Sequence, residues 1–295
     1  MIILIIGLLP YDSGKTWTTI ALAKAMKKRN LRVKIFKPIA GHSAWGQFRT
    51  VIESMKRGYL ICEDALLYEE HLGEDNLTRI NPIDLLLTPP SLNEFKSCND
   101  YIQNLADTLH QVSLMRITKH CGVTEHYIIV ENLKRTSDPL KRWIEKLALR
   151  LKSKPASIED VISILQDNEI DQELQRYLEE YEEKHDVVIV ESFNNAALPF
   201  TSLLSFKLDA VLVVTPLHVL IMNPKLFAEK VKEKLKIMGL EGLEVDKIVE
   251  KPEDVNIIDL EPVPSICDLS TLRCIDQIAD SMLKSQWKAD TGRKV

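Results

Sequence analysis

The chain has no Cys-x-x-Cys pair, and its five cysteines, Cys62, Cys98, Cys121, Cys267 and Cys274, are scattered and odd in number. That pattern argues against a zinc ribbon or a disulfide framework and for a reducing, cytoplasmic setting. A basic excess is also missing. Thirty-eight Lys and Arg against 43 Asp and Glu leave a net charge of -5, the wrong sign for a general nucleic-acid binder. No apolar run approaches the length that spans a bilayer, so no membrane partner is expected. There is no internal repeat and no low-complexity tract. The apolar start, 1–7, lacks a positive leading region and reads as a core strand rather than a signal peptide. What remains is a 295-residue chain with 45% hydrophobic and 27% charged residues, the composition of a globular protein with room for one large domain or two small ones.

The most informative segment follows that strand. Met1-Ile-Ile-Leu-Ile-Ile-Gly7 leads through Leu8–Ser13 into Gly14-Lys15-Thr16, and Trp17–Lys28 then carries Ile20, Leu22, Ala25 and Met26 at helical spacing. A buried strand feeding a loop that opens a helix is a phosphate cradle, because the first backbone N–H groups of a helix have no intrahelical partner. Asp12, Ser13, Gly14, Lys15, Thr16 and Trp17 are the candidate nucleotide contacts. Lys15 supplies a charge for the outer phosphates and Thr16 a hydroxyl for Mg²⁺. The common pattern has a glycine with four residues between it and the Gly-Lys pair. Leu9 stands there, and Gly7 lies earlier than the pattern requires.

Further along, short β-branched runs read as buried parallel strands: Ile2–Ile6, Arg32–Phe36, Tyr127–Val130, Val187–Val190, Ala210–Val214, Val245–Val249 and Val255–Leu260. Helical patterns separate most of them, at Trp17–Lys28, Ala44–Met55, Asp64–His71, Leu92–Ile117, Lys141–Leu151, Ile158–Leu165, Asp171–Lys184, Pro224–Ile237 and Leu269–Leu283. The alternation predicts an α/β fold in three layers, a mostly parallel sheet of about seven strands with helices on both faces. The whole chain, 1–295, is expected to be a single domain with a mostly helical insertion at about 92–185.

A metal beside the phosphates needs carboxylates, and a strand end is a good place for one. His185-Asp-Val-Val-Ile-Val-Glu191 offers Glu191; Tyr127-Ile-Ile-Val-Glu131 offers Glu131 in the same form. Ser192-Phe-Asn-Asn195 after Glu191 is the better pocket turn, which favours Glu191. Lys37 ends the second strand just before Pro38 and a small-residue turn, where a lysine can meet carboxylate or phosphate. His42 in that turn is expected either to touch substrate or to sit partly in solvent.

Together these segments resemble dethiobiotin synthetase and the cobyrinic acid diamide synthase-related P-loop ATPases. The family's loop, Gly-Thr-Asp-Thr-x-x-Gly-Lys-Thr, is similar to Gly7 followed by Asp12-Ser-Gly-Lys-Thr16 with one extra residue. Its Lys-Pro-x-x-Ser/Ala-Gly is matched by Lys37-Pro-Ile-Ala-Gly41, and its Asp-Ala-Leu helix start by Glu63-Asp-Ala-Leu66. Its Val-Asn-Pro segment is matched by Ile80-Asn-Pro82, with Thr88-Pro-Pro90 beyond, and its Val-Glu-Gly-Ala-Gly-Gly in part by Val190-Glu-Ser-Phe-Asn-Asn195. The first four blocks keep order and spacing over about ninety residues.

The resemblance implies a P-loop NTPase fold, ATP and Mg²⁺ as cofactors, a small carboxylate or amine substrate, and a possible homodimer. It places Lys15 and Lys37 in catalysis, and Thr16, Asp64 and Glu191 on the metal. The implied reaction is a ligation in which ATP phosphorylates a carbamate or carboxylate before an amine attacks, as in the dethiobiotin step of biotin biosynthesis. The chain departs from the family where Ser192, Asn194 and Asn195 replace glycines, and in the length of 92–185. Those departures keep open an alternative, a nucleotide-binding regulatory or scaffold ATPase without ligase activity.

Overall fold

The computed structural model describes residues 1–239, 243–249, 255–265, 268 and 272–291. The start of the helix expected at 269–283 and the polar end of the chain at 292–295 fall outside them. Contacts divide the chain into two compact units. Unit 1 holds residues 1–38, 71–73 and 175–295, and unit 2 holds 39–70 and 74–174.

In chain order the elements are β1 (Ile2–Gly7), α1 (Lys15–Lys28), β2 (Val33–Phe36), β3 (Ile39–Ser43), α2 (Phe48–Arg57), α3 (Glu63–Leu72), α4 (Leu77–Ile80) and β4 (Ile83–Leu87). There follow α5 (Cys98–Ala106), β5 (Val112–Thr118), β6 (Thr124–Ile129), α6 (Val130–Lys134), α7 (Asp138–Arg150), β7 (Lys154–Ala156), α8 (Ile158–Leu165) and α9 (Asn168–Lys184). The last are β8 (Val187–Glu191), β9 (Ala210–Thr215), β10 (His218–Met222), α10 (Pro224–Met238), α11 (Val245–Ile248), β11 (Val255–Asp259) and α12 (Arg273–Thr291).

Unit 1 contains a six-stranded sheet in the order β11-β10-β9-β1-β8-β2. From β9 to β2 all neighbours are parallel, whereas β10 and β11 add antiparallel at one edge. β1 lies between two parallel partners, and all six of its residues are buried. A continuous Ile/Leu run suits that position because both faces of such a strand are covered. β9 turns into β10 through Pro216 and Leu217, with Leu217 at φ 67, as the third position of a tight turn after proline requires.

Unit 2 has its own five-stranded sheet, β3-β4-β5-β6-β7. The outer pairs are parallel and the β4-β5-β6 core is antiparallel. On one face Leu86, Leu114 and Ile128 pack with Val51 of α2 and Ile144 and Leu147 of α7. Strand periodicity puts Asp84, Arg116 and His126 on that same face, two residues from each of those apolar positions.

The α/β class is observed, but the single, mostly parallel sheet is corrected to two mixed sheets. The difference arises in 39–174. Leu92–Ile117, expected as one helix, contains α5 between two short 3-10 turns and then the strand β5, whose Val112–Thr118 run is buried between two partners. Three strands, β5 to β7, lie within 92–185. Ile39–Ser43, Ile83–Leu87 and His218–Met222 are strands that alternation did not reveal, and Val245–Val249, expected as a strand, forms the short helix α11.

Candidate functional site

The site in unit 1 is assembled by strand register. Ile5 of β1 pairs with Glu191, so the carboxylate stands beside the end of the central strand from which the loop departs. Phe36 of β2 pairs with Val190, so Lys37, one residue further, is level with Glu191. Gly14 caps α1 in the left-handed conformation, φ 89, which glycine adopts without a Cβ penalty.

Glu191 has no exposed surface and accepts from side chains of α1 and from Lys37. Thr16 Oγ1 donates to Oε1 at 3.0 Å, Thr19 Oγ1 to Oε2 at 2.6 Å, and Lys37 Nζ to Oε1 at 2.7 Å. Lys37 is itself buried, and its Nζ also lies 3.5 Å from the Ser192 carbonyl. A buried ion pair is tolerated when its remaining hydrogen-bonding capacity is met, which the two threonines do here. Lys15 folds back over the loop, donating to the Asn194 carbonyl at 2.7 Å and Ser13 Oγ at 3.2 Å. A Cβ built on Gly7 would collide with Ser13 Oγ and stand 2.7 Å from Lys15 Nζ, so the loop approaches closely because residue 7 is glycine. Asn194 accepts φ 44, and its turn is tied down by Ser192 Oγ donating to the Ala196 carbonyl at 2.6 Å.

Lys15, Thr16, Lys37 and Glu191 are therefore brought together, with Ser13 and Gly14 in the same loop. Asp12 sits at φ 54 in that loop, exposed, and Trp17 is 39% exposed on the first turn of α1. Asp64 belongs to unit 2, in the first turn of α3. Glu131, the rival strand-end acid, is exposed on the first turn of α6. His42, expected at substrate or in solvent, is instead buried on β3, with Nδ1 2.8 Å from Thr50 Oγ1 and Nε2 3.3 Å from Asp84 Oδ1.

Sequence reasoning missed Thr19 and the Asn194 carbonyl. Thr16 and Thr19 stand three apart on one helix face, so a Thr-x-x-Thr after the loop was a usable signal. A backbone carbonyl leaves no trace in the residue type.

Two oxygens that bind one octahedral Mg²⁺ in adjacent positions at 2.0–2.1 Å lie about 2.9 Å apart. Thr16 Oγ1 and Glu191 Oε1, at 3.0 Å, meet that spacing. Among the described residues no group of three or more His, Cys, Asp or Glu is arranged to hold a metal, and no helix is long and apolar enough to cross a membrane. No protein-family model and no curated protein sequence matches the chain.

Proposed function

We propose that this protein is an ATP- and Mg²⁺-dependent enzyme similar to dethiobiotin synthetase, built on a P-loop fold, that phosphorylates a carboxylate or carbamate before attack by an amine. The observation that carries the reading is the convergence of Lys15, Thr16 and Lys37 with a fully buried Glu191 at the end of the sheet. Asp64 enters the proposal on the resemblance.

In this reading the N–H groups of the α1 start and the Lys15 ammonium bind the outer phosphates, Lys15 exchanging the Asn194 carbonyl for phosphate oxygens. Thr16 and Glu191 would hold Mg²⁺, which when bound supplies charge neutralisation at the phosphates. The substrate oxyanion attacks the γ-phosphorus, the bond to the bridging oxygen breaks, and ADP leaves with that electron pair. Lys37 orients the oxyanion and offsets charge during transfer, while the amine that follows displaces phosphate. Thr19 keeps the Glu191 carboxylate in one orientation.

One observation favours a second reading, a nucleotide-binding regulatory protein. Ser192, Asn194 and Asn195 occupy positions where close substrate approach calls for glycine, and Asn194 holds Lys15. The test is ATP turnover and nucleotide binding of the wild-type chain and Lys15→Ala, with and without bicarbonate and a diamine or carboxylate substrate. Substrate-stimulated ADP release, lost in Lys15→Ala, supports the ligase. Tight nucleotide binding without turnover supports the regulator. Nucleotide affinity unchanged in Lys15→Ala overturns both.

A further inference from the structure

Unit 2 contains a cavity of about 600 Å³ that has no part in the chemistry above. Tyr59, Glu69, Asp75, Thr78, Thr124 and His126 contribute its polar lining. His126 is only 8% exposed, and its hydrogen bonding fixes its tautomer. The backbone N–H of Leu60 donates to His126 Nε2 at 3.1 Å, so Nε2 carries a lone pair and the proton of the neutral ring resides on Nδ1. Arg116 holds this arrangement from behind, because its Nε donates to the carbonyl of the same Leu60 at 2.7 Å and fixes that residue. Burial and the neighbouring Arg116 charge push the imidazole down to about 4, with Asp84 opposing weakly, so the ring is neutral at physiological pH. Among the described residues its Nδ1–H has no acceptor, and the ring lines the cavity.

The other lining groups set the charge of an occupant. Glu69 is neutralised from behind by a two-pronged pair with Arg57 at 2.7 and 2.9 Å, which holds its carboxyl below the usual range. Asp75, exposed at the cavity, accepts from the Asn76 side-chain amide at 3.1 Å and has no cationic partner among the described residues. Among the residues lining the cavity there is no lysine or arginine. A donor on a largely buried ring and a carboxylate with no cationic partner among the described residues, in one cavity, select a molecule with an acceptor oxygen and a positive group.

We infer that unit 2 binds a small amine carrying a neighbouring hydroxyl or carbonyl oxygen, the oxygen accepting from His126 Nδ1–H and the ammonium facing Asp75. This cavity works without nucleotide and rejects phosphate-bearing and carboxylate ligands.

The experiment uses the full chain with ¹⁵N-labelled histidine and three probes of one size: glucosamine, glucose and gluconate, with charges of +1, 0 and −1. Long-range ¹H–¹⁵N spectra report the tautomer and the Nδ1–H of His126 directly. The expected result is an Nδ1–H tautomer whose resonance shifts saturably with glucosamine and more weakly with glucose. In Asp75→Asn, an exposed substitution, the advantage of glucosamine falls by about three- to fivefold, the size of a partly exposed charge pair. Binding of gluconate as tight as that of glucosamine, an Nε2–H tautomer, an unmoved resonance at saturating probe, or an unchanged preference in Asp75→Asn would each overturn the inference.

Discussion

Each unit buries a charged cluster against its sheet, and the two are built in opposite ways. In unit 1 the centre is a carboxylate: Glu191 receives Thr16, Thr19 and Lys37. In unit 2 the centre is a guanidinium. Arg116, 1% exposed, donates to the carbonyls of Leu60 and Asn81 at 2.7 and 2.6 Å, to Asn81 Oδ1 at 3.0 Å and to Thr118 Oγ1 at 2.9 Å. Its counter-charge, Asp84, lies 3.9 Å away, and neither Asp84 oxygen makes a hydrogen bond. A carboxylate satisfied by hydroxyls and an amine can exchange those donors for a ligand. A guanidinium satisfied by main-chain carbonyls is tied to the fold and cannot let go without loosening the strands and loops that supply them. The first arrangement suits a site, the second a frame.

That contrast can be broken by substitution. The largest effect is expected for Arg116→Met, which removes the donors and leaves the buried Asp84 with His42 as the one remaining basic side chain within ion-pair distance among the described residues. Urea denaturation should show a loss of about 3–5 kcal/mol, with much of it recovered when Asp84→Leu is added. A loss below about 1 kcal/mol would mean that Arg116 is not the frame of unit 2.

Next is Lys15→Ala, expected to lower ATP turnover by about 10²- to 10³-fold, the usual cost of removing one preorganised group that stabilises transition-state charge. Stability, read from the same denaturation curves, should change far less than in Arg116→Met. Equal losses of stability in the two variants would erase the distinction between site and frame.

A smaller effect is expected from acid. Because His126 is held down at about 4 in the folded chain, against about 6.5 when unfolded, the unfolded state binds its proton first. The stability that the neutral ring confers is therefore complete above pH 6.5 and is lost as pH falls from there toward 4, by up to about 3 kcal/mol. His126→Gln should flatten that part of the pH–stability profile. A profile that keeps its slope in the variant assigns the acid sensitivity elsewhere.

The smallest effect on folding sharpens the comparison from the other side. In Gly7→Ala the new methyl meets side-chain atoms alone, Ser13 Oγ and Lys15 Nζ and Cδ, and the Lys15 chain can move aside. Stability should fall by about 1 kcal/mol, the low end of the cost of overpacking, while nucleotide affinity drops because Lys15 is displaced. A large loss of stability with affinity intact would show that the loop glycine serves the fold alone.

Much of unit 1 was legible because its elements announce themselves locally. A fully buried parallel strand reads as an unbroken β-branched run, as β1, β8 and β9 do. Lys15, Thr16, Lys37 and Glu191 were legible from their places at strand ends and a helix start. Unit 2 was not legible. Its strands carry polar residues on a buried face, Asp84 on β4, Arg116 on β5 and His126 on β6, where strand patterning leads one to expect either apolar residues or solvent. Those residues are stable only because they meet one another and the Leu60 peptide, contacts between positions far apart in the chain.

The sequence by itself determined the Gly-Lys-Thr loop between strand and helix, the apolar strands of the first sheet and which polar residues end them, because these depend on neighbours along the chain and on the fixed periods of strand and helix. Only the tertiary structure decided that residues 39–174 make a second sheet, that Thr19 and the Asn194 carbonyl join the site, and which nitrogen of His126 holds its proton. Each of those rests on strand register and on partners distant in the chain, and burial makes the choice of partner energetically decisive.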